Sequence, residues 1–242
     1  MLRALALLPF IATPLAADED RYVASNVYAI FYHELGHALI DVLDLPIFGQ
    51  EEDAADVLSA LMIGEYWEED AAVAIAYDAA FGFLNDAEQT DEADVAYWGV
   101  HGPDLQRYYT LICLFYGGNP EEQEDVALEL GLPEERIETC EEEYDQAIGS
   151  WGAVLDRLAE ASETGSDTGR LVLTGKDPEQ DEILREEIDW INENFAFPQD
   201  IPVLMEPCQE ANAFYDPTSQ EITMCTEFPA YLRESYREAN AG

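Results

Sequence analysis

Two histidines four residues apart, His33 and His37, lie in the run FYHELGHALIDVLDLPIFGQEEDAADVLSALM from Phe31 to Met62. On a helix this spacing turns both imidazoles to one face, one turn apart, where they can share a metal ion. Glu34 stands beside the first histidine and off the ligand row, placed to take a proton from an attacking water, which is the HExxH arrangement. Zinc at a hydrolytic centre takes three protein ligands and keeps a fourth position open, so one ligand remains to be found. After a helix stop at Leu45-Pro46 and a turn at Gly49, a second helix opens on Glu51-Glu52-Asp53 and continues AADVLSALM. Glu52 and Asp56 share a face of that helix. Glu52 is the expected third ligand, with Glu51 and Asp53 as alternatives, and Asp56 can accept the second ring N–H of a ligating histidine and fix its tautomer.

HExxH followed by ExxxD on a second helix resembles the gluzincin metallopeptidases, whose third ligand is the Glu and whose Asp supports a histidine. The longer run HELGHALIDVLDLPIFGQEEDAAD resembles a bacterial family of secreted metallopeptidase-like proteins of otherwise unknown function, and the likeness covers most of the chain after residue 17. It implies one Zn2+ per chain on His33, His37 and Glu52, and peptide-bond hydrolysis with Glu34 as general base. Peptide or protein chains are the implied substrates. The alternative, from another class, is a catalytically silent zinc protein that binds a peptide or a partner outside the cytoplasm.

The tetrahedral intermediate of such a reaction needs a further donor for its negative charge. The third and last histidine, His101, precedes the turn Gly102-Pro103-Asp104 and is the candidate for this catalytic role, ahead of Arg107, Tyr108 and Tyr109. The ordinary alternatives are a structural loop histidine, an arginine paired with local acids, and half-buried tyrosines.

Composition narrows the setting. With 10 Lys and Arg against 53 Asp and Glu the formal net charge is −43, which repels nucleic acid and anionic lipid surfaces. Aliphatic and aromatic content is that of a globular chain, so disorder does not explain the acidity. Adaptation to salt, where screening weakens self-repulsion, explains it better than a calcium-binding surface, for which no regular Asp-x-Asp-x-Asp loop is present. Residues 1–17, MLRALALLPFIATPLAA, carry one positive charge, a short apolar run and small residues, and read as a signal peptide cut near Ala17. The apolar run is shorter than the roughly 20 residues of a membrane anchor, and no later stretch spans. The chain is therefore expected to be exported, to a periplasm or the extracellular space. Four cysteines in such a chain favour two disulfides. Of three possible pairings, Cys113 with Cys140 and Cys208 with Cys225 is preferred because each pair brackets a compact segment; a cysteine zinc site would want a CxxC, which is lacking.

These residues require elements to hold them. Residues 18–242 are expected to form one domain, helical over 18–160, with a small polar mobile loop at about 161–169 and a strand, helix and hairpin over 170–242. RLVLTG and IPVLMEPC read as strands, and ANAFYDPTSQEITMC as a hairpin turning at Asp216-Pro217. The fold class is thus α+β and predominantly helical, with a zincin-like active-site helix pair and a small C-terminal sheet. In some secreted zinc peptidases strands like NAFYDP…EI precede the HExxH helix and hold substrate by strand addition. Here they follow it, which suggests either a circularly permuted minimal gluzincin or a disulfide-stapled hairpin serving stability alone. Gly36 inside the motif weakens helix propensity, which implies that another backbone packs against it.

Overall fold

The computed structural model describes residues 14–241, so residues 1–13 of the expected signal peptide lie outside the described residues. Helix α1 (Pro14–Val42) carries the histidine pair. It is apolar around its circumference: Tyr22, Val23, Val27, Phe31, Tyr32 and Leu39 are all buried. Between Tyr22 and Ile40 no residue is exposed, so this length of the helix must be wrapped on several sides. Helices α2 (Glu51–Tyr66), α3 (Glu69–Gln89), α8 (Pro178–Asn194) and α9 (Phe228–Ala239) pack around α1, together with two strands, β3 (Ala213–Asp216) and β4 (Glu221–Cys225).

Helix α1 ends by a defined device. Asp44 adopts a left-handed φ of 50°, and Leu45 N donates to Ile40 O at 2.9 Å, closing off the last carbonyls before Pro46. The chain then reverses into α2, which lies close against α1. A Cβ on Gly36 would stand 2.9 Å from Ala55 Cα and 3.1 Å from its Cβ, so only glycine permits this approach. Ser59 Oγ donates to Ala29 O at 2.7 Å along the same seam.

Helices α4 (Asp104–Gly118), α5 (Pro120–Glu129), α6 (Glu134–Ala147) and α7 (Ala153–Thr164) complete the helical part. The Cys113–Cys140 disulfide joins α4 to α6. Between α6 and α7 the residues Ile148–Gly152 form a π-turn instead of the continuous helix that the sequence pattern suggests. That widened turn seats the buried Trp151, whose Nε1 donates to Ala54 O at 2.9 Å. Because α7 runs to Thr164 with Ala161 buried, the loop expected at 161–169 is shorter at its start.

Strands β1 (Leu171–Gly175) and β2 (Ile201–Glu206) join β3 and β4 in one sheet of order β1-β2-β4-β3. The pairs β1–β2 and β2–β4 are parallel, while β3–β4 is the antiparallel hairpin. A parallel pair needs a crossover, which α8 supplies. Ile201, Val203 and Met205 alternate inward, as period two requires. Asp216 Oδ1 accepts from Thr218 N in the hairpin turn, and the Cys208–Cys225 disulfide ties the β2–β3 connection to β4. The architecture is the predominantly helical α+β fold expected. The sheet lies against α1: Tyr215 Oη and Gln220 Nε2 both donate to Asp41 Oδ2, at 2.7 and 2.8 Å.

The two ends of the chain are clasped. Glu19 accepts from Arg237 Nε at 2.8 Å and Nη2 at 2.6 Å, and from Arg233 Nη1 at 3.1 Å. The hydrogen bonds from Arg237, then Arg233, hold the Glu19 carboxyl below its ordinary value. A depressed carboxyl stabilises the fold above its unfolded pKa of about 4.5 and stops doing so as pH falls through the folded value. Glu19→Gln should therefore lower the melting temperature at neutral pH and change it little in acid; an equal loss at both would refute the clasp. Gly36→Val should cost about 1–3 kcal/mol through the clash with Ala55, read as a lower denaturation midpoint. An unchanged midpoint would show that the helices are not held at this distance.

Candidate metal centre and active site

Helix α1 offers His33 and His37 on one face, and α2 runs past that face at the distance Gly36 allows. Three atoms converge. His33 Nε2 and His37 Nε2 are 3.2 Å apart, and Glu52 Oε2 lies 3.2 Å from the first and 3.1 Å from the second. These three residues form a group able to hold a metal ion, and no other such group of His, Cys, Asp and Glu occurs among the described residues.

The remaining ring nitrogens decide what the three atoms present. His33 Nδ1 is 2.7 Å from Asp56 Oδ1, and His37 Nδ1 is 2.8 Å from Glu51 Oε1. An ionised carboxylate only accepts, so each Nδ1 carries the proton and each Nε2 of a neutral ring exposes its lone pair. With both rings neutral, the centre presents three electron-rich atoms facing one another. A tetrahedral ion with bonds of about 2.0–2.2 Å holds its donors about 3.3–3.6 Å apart, slightly wider than the spacing found, and a two-His, one-Glu set with a free corner suits zinc.

In the absence of a cation the same electrostatics appear as proton affinity. Burial, the largest influence on His33, disfavours its charged form, but Asp56 and Glu52 outweigh it and push the ring up to about 9. The hydrogen bond from His33 in turn pulls Glu52 down to about 2. A cation held by the three atoms would take the place of that proton.

Asp56 is held in place from behind. Arg107, from α4, donates through Nε to Asp56 Oδ2 and through Nη2 to Oδ1, both at 2.7 Å, and its guanidinium stacks 4.4 Å from the Phe83 ring centroid. Burial opposes ionisation of Asp56, but Arg107 and then His33 overcome it and keep the carboxyl well below its usual range. Of the donors considered for the oxyanion, Arg107 is thus committed to Asp56. Tyr108 is buried and donates to Leu130 O at 2.5 Å, away from the centre. His101 does reach it, with Nε2 2.8 Å from Glu52 Oε2. Burial lowers its pKa.

Glu34 is 6% exposed, and burial raises its pKa against the opposing pull of His33 and His37. His33, Glu34, His37, Glu52, His101 and Tyr215 line one cleft of ≈ 1040 Å³. Its β3 wall is a free sheet edge, since β3 pairs only with β4. Two residues that hold the centre were not assigned these roles from sequence. Glu51 is weighed there only as a ligand, although its place one residue before Glu52 puts it beside the same histidine. Arg107 is brought to Asp56 across 51 residues by the α2–α4 contact, which no local pattern encodes.

Residues 11–155 and 176–242 match the family model DUF4344, whose description reads "Putative metallopeptidase". The chain belongs to this family. No curated protein and no solved structure gives a significant match. The matched segments contain every residue of the centre as well as β3, and the unmatched stretch 156–175 holds most of α7 and β1. Family membership implies a metal cofactor and peptide or protein substrates.

Metal analysis should find one divalent ion per wild-type chain and none after Glu52→Ala. Glu51→Gln should weaken binding by about 10–100-fold, as loss of a partner behind a ligand does. Full occupancy in the Glu52 variant would remove this site from consideration.

Proposed function

We propose that the protein is an exported zinc metallopeptidase of gluzincin type, with His33, His37 and Glu52 as metal ligands. The observation that carries this reading is the triangle of donor atoms 3.1–3.2 Å on a side whose histidines are each fixed by a carboxylate on the far nitrogen. Bound there, zinc would supply Lewis acidity to the scissile carbonyl and bring the pKa of a water towards about 7.

The chain's own residues divide the rest of the work. Glu34 receives the proton of the attacking water and passes it to the leaving amine; its burial favours the proton-holding form that the second step needs. Asp56 and Glu51 keep both rings in one tautomer, and Arg107 keeps Asp56 charged. His101 is the donor assigned to the developing oxyanion, because it stands on the exposed side of the centre; its Nε2, 2.8 Å from Glu52 Oε2, would exchange that contact for one to the oxyanion when substrate binds. Its side chain is 49% exposed and so accessible to substrate.

The β3 edge is the proposed substrate rail. Asn212 O accepts from Cys225 N on β4, so with period two the N–H and C=O groups of Ala213 and Tyr215 face away from β4, on the edge where an extended chain can pair. Metal helix first and edge strand last is the element order of a permuted gluzincin. Two disulfides fit an oxidising compartment, and no helix among the described residues is long and apolar enough to cross a membrane.

Metal-loaded wild type should cleave an unfolded protein substrate and lose this activity with a chelator. Glu34→Gln should keep its zinc and lose about 10²–10⁴-fold in kcat, the usual contribution of a general base. Equal turnover by the two proteins would defeat the role of Glu34. Zinc retention with no turnover by either would support the silent binding protein instead.

A further inference from the structure

Between α3 and α4 the residues 91–103 form a strap without helix or strand. Within residues 91–102 its backbone bonds are local: Asp94 N to Asp91 O, Tyr97 N to Val95 O and Gly99 N to Ala96 O, at 2.8, 3.0 and 2.8 Å. It meets the centre through His101. Just before that residue it presents Tyr97, Trp98 and Val100 at 74, 84 and 65% exposure. Three large apolar side chains in water on a chain of net charge −43 contribute nothing to the core and call for another explanation.

Under the strap lies a second cavity of ≈ 1320 Å³, lined by Tyr97, Val100, Leu105, Tyr109 and Pro133 among others, with Glu92, Asp94, Asp104 and Glu135 at its walls. Val100 and His101 line this cavity and the catalytic cleft alike. The two spaces are therefore neighbours with Val100 and His101 as their shared wall, and each is at or above the few hundred to about 1,000 Å³ that a small ligand fills. The first has a free strand edge suited to an extended chain. The second adjoins it with an apolar lining and a carboxylate rim.

We propose that the strap cavity is an extension of the substrate cleft which takes an apolar or aromatic side chain of an extended polypeptide carrying basic neighbours. The inference rests on the peptidase reading. It follows from the shared wall of the two cavities, from exposed aromatics of the kind that dominate recognition surfaces, and from four carboxylates in the lining against one cation, Arg136, which is itself paired with Glu143; that balance repels acidic segments and attracts Lys and Arg. Tyr97 and Val100 form the apolar contact, and substrate reaching past His101 is selected for length as well as composition.

The test uses zinc-loaded protein with Glu34→Gln, which leaves bound peptide uncut, and three labelled peptides long enough to pass His101. One carries Phe flanked by Lys; in the second Ser replaces Phe, and in the third Glu replaces Lys. The first should bind about tenfold more tightly than either control. Tyr97→Ser should abolish that preference, while Leu128→Ser, an exposed apolar control on α5, should retain it. In the catalytically intact protein, Tyr97→Ser should raise KM for the long peptide and leave kcat and a short peptide unchanged.

Equal affinity for the three peptides, or a short-peptide loss equal to the long-peptide loss, would overturn the proposal. So would binding to phosphatidylcholine vesicles that is lost with Trp98→Ser while peptide affinity is unmoved by Tyr97→Ser, which would make the strap a membrane contact. If wild type cleaves no peptide while the binding preference holds and follows Tyr97, the peptidase reading fails and the peptide site stands. If peptides are cleaved but the preference is absent, the strap proposal alone fails.

Discussion

Three lone pairs, on His33 Nε2, His37 Nε2 and Glu52 Oε2, are held within 3.2 Å of one another, an arrangement that is repulsive unless a cation or a proton lies among them. Much of the surrounding fold maintains it. Asp56 and Glu51 remove the option of turning a ring over, because either nitrogen-to-carboxylate bond would be lost. Arg107 keeps Asp56 ionised in a buried place where a lone carboxylate would take up a proton. Gly36 sets the distance between the helices, since any side chain there would push Ala55 and the start of α2 away from the histidines.

The chain has few positive charges, and several of them stand at joints between elements. Arg107 links α4 to α2, Arg21 links α1 to Asp78 on α3, and Arg233 and Arg237 link α9 to the start of α1. Each joins segments distant in sequence, where a partly buried pair is screened less than one on an open surface. Many of the remaining carboxylates, such as those along α5 and α6, are exposed. The protein thus tolerates its charge by placing several of its cations where α1 and α2 join the helices packed on them.

The sheet has a related task. Its hairpin is fixed to the end of α1 through Asp41, which accepts from Tyr215 and Gln220. This puts the edge strand β3 along the cleft that Glu34 also lines. The Cys208–Cys225 bridge restrains the same hairpin from the other end. The stapled hairpin and the wall of the cleft are one element.

Sequence alone determined what is local. A four-residue histidine spacing fixes a shared helix face, Pro46 and Gly49 mark a reversal, and alternating Ile201, Val203 and Met205 mark a strand. Each follows from backbone geometry over a few residues, and Gly36 could be read as a close approach because a helix tolerates glycine poorly. What only the tertiary structure decided is the assignment of partners across long separations. Arg107 reads equally as an oxyanion donor until α4 is packed on α2, and Glu51 reads as a ligand until the angle between the helices turns it to the far side of His37. The strand order β1-β2-β4-β3, the π-turn at Trp151 and the place of His101 in the walls of two cavities belong to the same class. Side-chain periodicity names the face a residue occupies, but not the element that faces it, because that depends on packing energies summed over the whole core.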